Sequence, residues 1–225
     1  MLEQIQGETI LSRQPNIAQR EAIIRASYTL FLENGYEAVT TRRIAEECGI
    51  SRSLLHHYYN KKEEIILEVF GWIASKLSEF WFSKTSMSDR MPGYGVYGAN
   101  ILLRIGDHRS GMERLFVDIA RDGDLTMQFI LNLMKATKRI DNEKLVTNED
   151  IGSFIFFNTF MHLILLRDKD LIEASTQQII DMSLRTHYLY IGYTEDFIKD
   201  TFTRVKQINI DAYIIEFIEY YETMF

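Results

Sequence analysis

The chain of 225 residues carries a net charge of −7, is 46% hydrophobic and 25% charged, and has a single cysteine, Cys48. One cysteine excludes an internal disulfide framework and a cysteine-cluster zinc site, and a reducing compartment is the expected setting. Residues 1–15 lack a basic region followed by an apolar run, so they do not read as a signal peptide, and a cytoplasmic location is expected.

Only two prolines, Pro15 and Pro92, interrupt the sequence, which leaves room for long helices. Asn16 and Gln19 have the spacing of a capping box. They open a helix predicted to run to about Asn34, with Ile23, Ile24, Ala26, Tyr28, Leu30 and Phe31 on its apolar side and Gly35 as a left-handed stop. Thr40 or Thr41 caps a short helix ending at Cys48, and Gly49 breaks it. Ser51 then starts a helix reaching about Tyr59. Asn60 and Glu63 repeat the capping-box spacing at the head of a long helix over 61–84. The stretch 85–98 holds Pro92 and three glycines and reads as a loop. Helical periodicity returns near 99–106, 111–121, 124–140, 148–167, 169–190, 194–207 and 209–223, with no alternating pattern of strand length. The most apolar run, 151–166, contains Ser153, Asn158, Thr159 and His162. It falls short of the roughly 18 to 20 apolar residues of a membrane span, so a buried helix is expected. The fold class is all-α.

Residues 41–60 fit a helix-turn-helix, in which two helices cross steeply through a tight turn. The crossing needs a small residue, supplied by Ala45, and the turn a residue tolerant of positive φ, supplied by Gly49. Ile44, Cys48, Ile50, Leu55 and Tyr58 take the offsets of the buried seam. The second helix then enters a DNA major groove with Arg52, Ser53 and His56 turned outward and His57 near that edge. Thr41, Arg42 and Arg43 begin the preceding helix, where backbone N–H groups favour a phosphate, and Lys62 stands near another helix start. Ser51 completes the candidate DNA contacts. Residues 13–62 hold eight Lys/Arg and five acids, a net of +3, so the rest of the chain carries −10. A mildly basic head on an acidic body can present that head to a polyanion.

The run 40–64, Thr-Thr-Arg-Arg-Ile-Ala-Glu-Glu-Cys-Gly-Ile-Ser-Arg-Ser-Leu-Leu-His-His-Tyr-Tyr-Asn-Lys-Lys-Glu-Glu, resembles the signature of the TetR family of regulators. The preceding Phe-Leu-Glu-Asn-Gly-Tyr of 31–36 is similar to the end of that family's first helix, and the resemblance covers roughly residues 17–67. The family usually has tyrosine, histidine and phenylalanine where this chain has His56, Tyr58 and Tyr59. The resemblance implies a three-helix DNA-binding domain over 1–62 and a helical-bundle domain over 63–225 that binds ligand and dimerises. It further implies a homodimer on a palindromic double-stranded operator, most often a repressor, released when a ligand changes the separation of the two heads. The helices near 148–167 and 169–190 would form the four-helix dimer bundle.

Eight methionines lie beyond residue 62: Met87, Met91, Met112, Met127, Met134, Met161, Met182 and Met224. With Trp72, Trp81, Phe116, Phe129 and Phe154 they suit either an ordinary core or a cavity for a small hydrophobic or aromatic effector. Phe154, Asn158, Met161 and His162 recur at helical spacing, either as ligand contacts or as groups bonded across a dimer interface. The five histidines lack metal-ligand spacing, and no glycine-rich phosphate loop or nucleophile motif occurs, so no metal, cofactor or catalytic residue is expected. Asp118, Asp122 and Asp124 around Arg121 read as a solvated helix end. No membrane partner is expected. The rival to a regulator is a ligand- or protein-binding helical module without operator specificity, suggested by His56 and the acidic net charge.

Overall fold

The computed structural model describes residues 17–84, 94–136, 145 and 147–222. Every regular element there is helical: α1 (Ile17–Asn34), α2 (Thr41–Glu47), α3 (Arg52–Tyr58), α4 (Lys62–Lys84), α5 (Tyr94–His108), α6 (Met112–Ala120), α7 (Gly123–Ala136), α8 (Asn148–Asp168), α9 (Thr176–Tyr190), α10 (Glu195–Lys206) and α11 (Ile210–Glu222). Asn16, Met87, Met91, Met224 and the predicted helical residues 137–140 lie outside the described residues.

The head follows the sequence signals closely. Gly35, at φ 85°, ends α1 and donates its N–H to Phe31 O at 2.8 Å. Thr40 and Ser51 cap α2 and α3, their hydroxyls accepting from Arg43 N and Leu54 N. Gly49, at φ 62°, turns the chain between them. Asn60 N–H donates to a glutamate ahead of it, but the acceptor is Glu64 at 2.8 Å rather than Glu63, and the helix starts at Lys62.

Two boundaries in the body differ from expectation. Helix α5 begins at Tyr94, inside the predicted loop, with Gly95 and Gly98 within it. A helical glycine costs about 1 kcal/mol. Burial of Ile101, Leu102, Leu103 and Ile105 on the same helix outweighs that penalty. The predicted helix over 169–190 starts only at Thr176. Asp170, at φ 55°, ends α8, and Ser175 with Gln178 forms a reciprocal capping box that opens α9.

Helix α1 packs against α2, α4 and α6, and α3 packs on α2. In the body α8 lies against α6, α7 and α9, while α5 contacts α4, α6, α9 and α11. Phe70, Phe116, Phe129 and Phe160 are fully buried where α4, α6, α7 and α8 meet. Phe70 meets Phe129 edge-on at 5.0 Å and Phe116 at 5.3 Å, and Phe116 meets Phe160 at 6.0 Å. Such pairs add about 0.5–1.5 kcal/mol each beyond their buried area.

Helix α8 is only partly the buried helix expected. By length and a mean hydropathy of 1.2 it is long and apolar enough to cross a membrane. One side, with Phe156, Phe157, Phe160, Met161 and Ile164, is buried against its neighbours. The other, with Ile151, Ile155, Asn158, Thr159 and His162, stays half-buried or exposed.

Candidate nucleic-acid interface

The helix-turn-helix is assembled as its residues require. Ile44, Ala45 and Leu55 are buried at 2% exposure or less, with Cys48, Ile50 and Tyr58 packed half-buried beside them. Tyr59, not assigned to the seam from sequence, is also buried. Ile50 N donates to Ala45 O at 3.0 Å across the turn, so the turn is fixed by backbone as well as by the glycine.

The candidate DNA contacts lie on α3 and at the starts of α2, α3 and α4. Arg42, Arg43, Ser51, Arg52, Ser53, His56 and His57 are exposed, and Thr41 and Lys62 are half-buried. Arg42 is paired with Glu46 at 2.8 Å on its own helix. Arg52 Nε donates to His56 Nε2 at 3.4 Å, which makes that ring nitrogen an acceptor in this arrangement. His57 stands edge-on to Tyr58 at 5.8 Å. Ser51 already accepts from Leu54 N, which leaves its hydroxyl proton available outward. Lys62 has a structural role too: its ammonium donates to Tyr36 O at 2.9 Å and sits 4.0 Å from the Tyr36 ring centre. Two of its three N–H donors remain for another partner.

Two further features of the head escaped the sequence. Arg20 forms a two-pronged pair with Glu68, at 2.7 and 2.6 Å, binding α1 to α4. That pairing holds the Arg20 guanidinium charged more firmly than usual and ties it to the scaffold of the head. Leu54 on α3 is 38% exposed, an apolar side chain on an otherwise polar surface. Counting around the helix from Leu55 would have found it.

The head meets the body through α6. Asp118 is buried rather than part of a solvated helix end, and its Oδ2 accepts Tyr36 N–H at 3.0 Å. Asp122 and Asp124 are exposed as expected, and Asp122 Oδ1 caps α7 by accepting Asp124 N and Leu125 N. Arg114 donates to Leu32 O at 2.6 Å, and Gly111, at φ 86°, brings its backbone against the same carbonyl. A turn with otherwise unsatisfied backbone groups is thereby closed by α6.

The four candidate ligand contacts do not converge. Met161 is buried, Phe154 and Asn158 are half-buried, and His162 is exposed with Nδ1 2.8 Å from Asn158 O. A cleft of about 230 Å³ between α5, α9, α10 and α11 is walled by Arg104, Asp181, Phe202, Lys206, Ile208 and Asp211, and none of the four lines it. Among the described residues no group of three or more His, Cys, Asp or Glu side chains could hold a metal ion.

A capped helix, a glycine turn and a second helix with a polar outer side define a helix-turn-helix DNA-binding domain. Residues 23–69 match the family described as bacterial regulatory proteins, tetR family. The helix-turn-helix head is therefore similar to the DNA-binding domain of that family. It is 26% identical over 108 residues to the HTH-type transcriptional repressor KstR2 of Mycolicibacterium smegmatis, covering 46% of this chain and 51% of that one. It is 32% identical over 63 residues to the HTH-type transcriptional repressor AcnR of Corynebacterium efficiens, covering 28% of this chain and 34% of that one. The chain thus spans about half the length, or less, of the curated relatives it matches. The fold is similar, over 80% of this chain and 100% of the other, to that of a TetR transcriptional regulator from Rhodococcus sp. RHA1, with TM-score 0.57 at 15% identity. It is also similar to Thermus thermophilus FadR, a TetR family repressor solved in complex with lauroyl-CoA, with TM-score 0.54 at 15% identity over 78% and 96% of the two chains.

Proposed function

We propose that this protein is a sequence-specific transcriptional repressor: a cytoplasmic homodimer that binds a palindromic operator and leaves it when a small hydrophobic ligand binds the body. The observation that carries the reading is the helix-turn-helix of α2 and α3, seated on a packed scaffold with Arg43, Arg52, Ser53, His56 and His57 exposed on one element pair. Thr41, Arg42, Arg43 and Lys62 are assigned to operator phosphates, and Ser51, Arg52, Ser53, His56 and His57 to α3's approach to the groove. The functional division is taken at 62/63, where α4 leaves the head.

The half-exposed side of α8 and the outward side of α9, with Met182, Leu189 and Tyr190 each at least 44% exposed, are assigned to the contact between copies. Phe154, Asn158 and His162 belong to that contact in this reading. Met161 stays in the core. The structural relative solved with an acyl thioester, lauroyl-CoA, supports an apolar effector class, as do the methionines and aromatics of the body. The packing of α8 against α6, α7 and α9 supports a core helix and no membrane partner.

The test is fluorescence anisotropy of the full chain against duplexes selected from a random pool, beside scrambled duplexes, at two salt concentrations. The selected duplex is expected to bind on the order of 10³-fold tighter, with both weakening as salt rises. Equal binding to both would favour a helical module without operator specificity.

A further inference from the structure

Residues turn by about 100° each around a helix, so with Leu55 at the core Ser53 and His57 face most directly away. Arg52 and His56 take one flank, joined at 3.4 Å, and Leu54 takes the other. Leu54 has its N–H committed to Ser51 Oγ at 3.1 Å, so only its side chain is on offer. It is the one large apolar side chain of α3 that is exposed, and it stands in the first turn. In a helix laid into the major groove the N-terminal residues approach the base edges. A leucine has no donor or acceptor to give them. Of the groups that base pairs display in that groove, only the C5-methyl of thymine is apolar. Against a phosphate the same side chain would strip water from a charge and return no hydrogen bond.

We infer that Leu54 reads a thymine methyl group, so that each operator half-site carries a thymine at the base step facing the α3 first turn on the flank opposite Arg52 and His56. The inference rests on the regulator reading above and adds to it a specificity-determining residue.

The experiment uses the full chain and the duplex selected as above. Each thymine is replaced singly by deoxyuridine, which removes one methyl and leaves base pairing intact. Binding is measured for the wild type and for Leu54→Ala, a substitution at an exposed site that keeps helix propensity. One thymine per half-site is expected at which deoxyuridine weakens the wild type about fourfold, the worth of one buried methyl, while Leu54→Ala is insensitive there. Equal responses of the two proteins at every thymine overturn the inference and leave the regulator intact. Failure to select any preferred duplex overturns the regulator reading itself, and this inference with it.

Discussion

The carboxylate of Asp118 in α6 accepts the backbone N–H of Tyr36 at 3.0 Å, so the turn that ends α1 is completed by a residue of the body. The same junction is clamped by Arg114 on Leu32 O. Asp118→Ala leaves a buried N–H with no acceptor, at a cost of about 1–3 kcal/mol. For a chain of this size that lowers Tm by about 2–4 °C per kcal/mol. Asp118→Asn keeps an acceptor oxygen and should recover much of the loss in a circular-dichroism melt. Equal Tm for Asp118→Ala and wild type would show that this bond holds nothing.

Gly111 and Gly49 both have positive φ, yet they should respond differently to alanine. A Cβ on Gly111 would lie 2.1 Å from Leu32 O, whereas one on Gly49 meets nothing within 4 Å. Gly49→Ala carries only the left-handed backbone penalty of about 1–2 kcal/mol. Gly111→Ala adds a backbone collision and should cost well over 3 kcal/mol, in the range reserved for severe core changes. Urea unfolding with an unchanged slope measures both. Similar midpoints for the two variants would contradict the close approach of α6 to α1.

Arg43 and Lys62 are expected to separate DNA contact from scaffolding. Arg43 is exposed, so Arg43→Ala should leave Tm unchanged and weaken specific and scrambled duplexes alike. It should also reduce the slope of log affinity against log salt by about 0.9 for each phosphate no longer neutralised, twice that for a homodimer. Lys62 holds Tyr36 O and covers its ring, so Lys62→Ala should lower Tm as well as affinity. An unchanged salt slope for Arg43→Ala would remove that residue from the phosphate face.

The head is legible because its signals are local. Thr40, Gly49 and Ser51 each act within four residues, and Ala45 and Leu55 declare themselves by spacing. What stays hidden depends on distant partners. Asp118 reads as a surface acid until Tyr36, far along the chain, is placed beside it, and Arg20 reads as a free cation until Glu68 arrives. The start of α5 is concealed because Gly95 and Gly98 look like breakers when burial elsewhere on the helix is unknown. Met161 and His162 share a stripe by counting, yet neighbouring helices bury the first and leave the second exposed.

Cys48 packs half-buried beside the turn, its thiol 3.9 Å from Ala22 O. Burial, reinforced by Glu47, pushes its pKa up, so at neutral pH the protonated form prevails more than in an unfolded chain. Because the thiolate is the nucleophile, alkylation at neutral pH should be slower in the folded protein than in urea. The rate should climb as pH rises toward the elevated pKa. Equal folded and unfolded rates would mean the thiol is open and unperturbed.

On α9, Met182, Thr186, Leu189 and Tyr190 recur at helical spacing and are all exposed in the single chain. Helix α8, which packs against α9, has a half-exposed side of its own with Ile151, Ile155 and Thr159. Large apolar groups arranged this way are expected to be covered, and a twofold contact would bury both helices of each copy against their counterparts. Met182→Asp with Leu189→Asp places two charges in that contact without touching the core of the single chain. Light scattering should then report a mass half that of the wild type. Operator affinity should fall steeply because each head must bind alone, while far-ultraviolet dichroism stays helical. A variant that keeps the wild-type mass would show that these faces form no contact between copies.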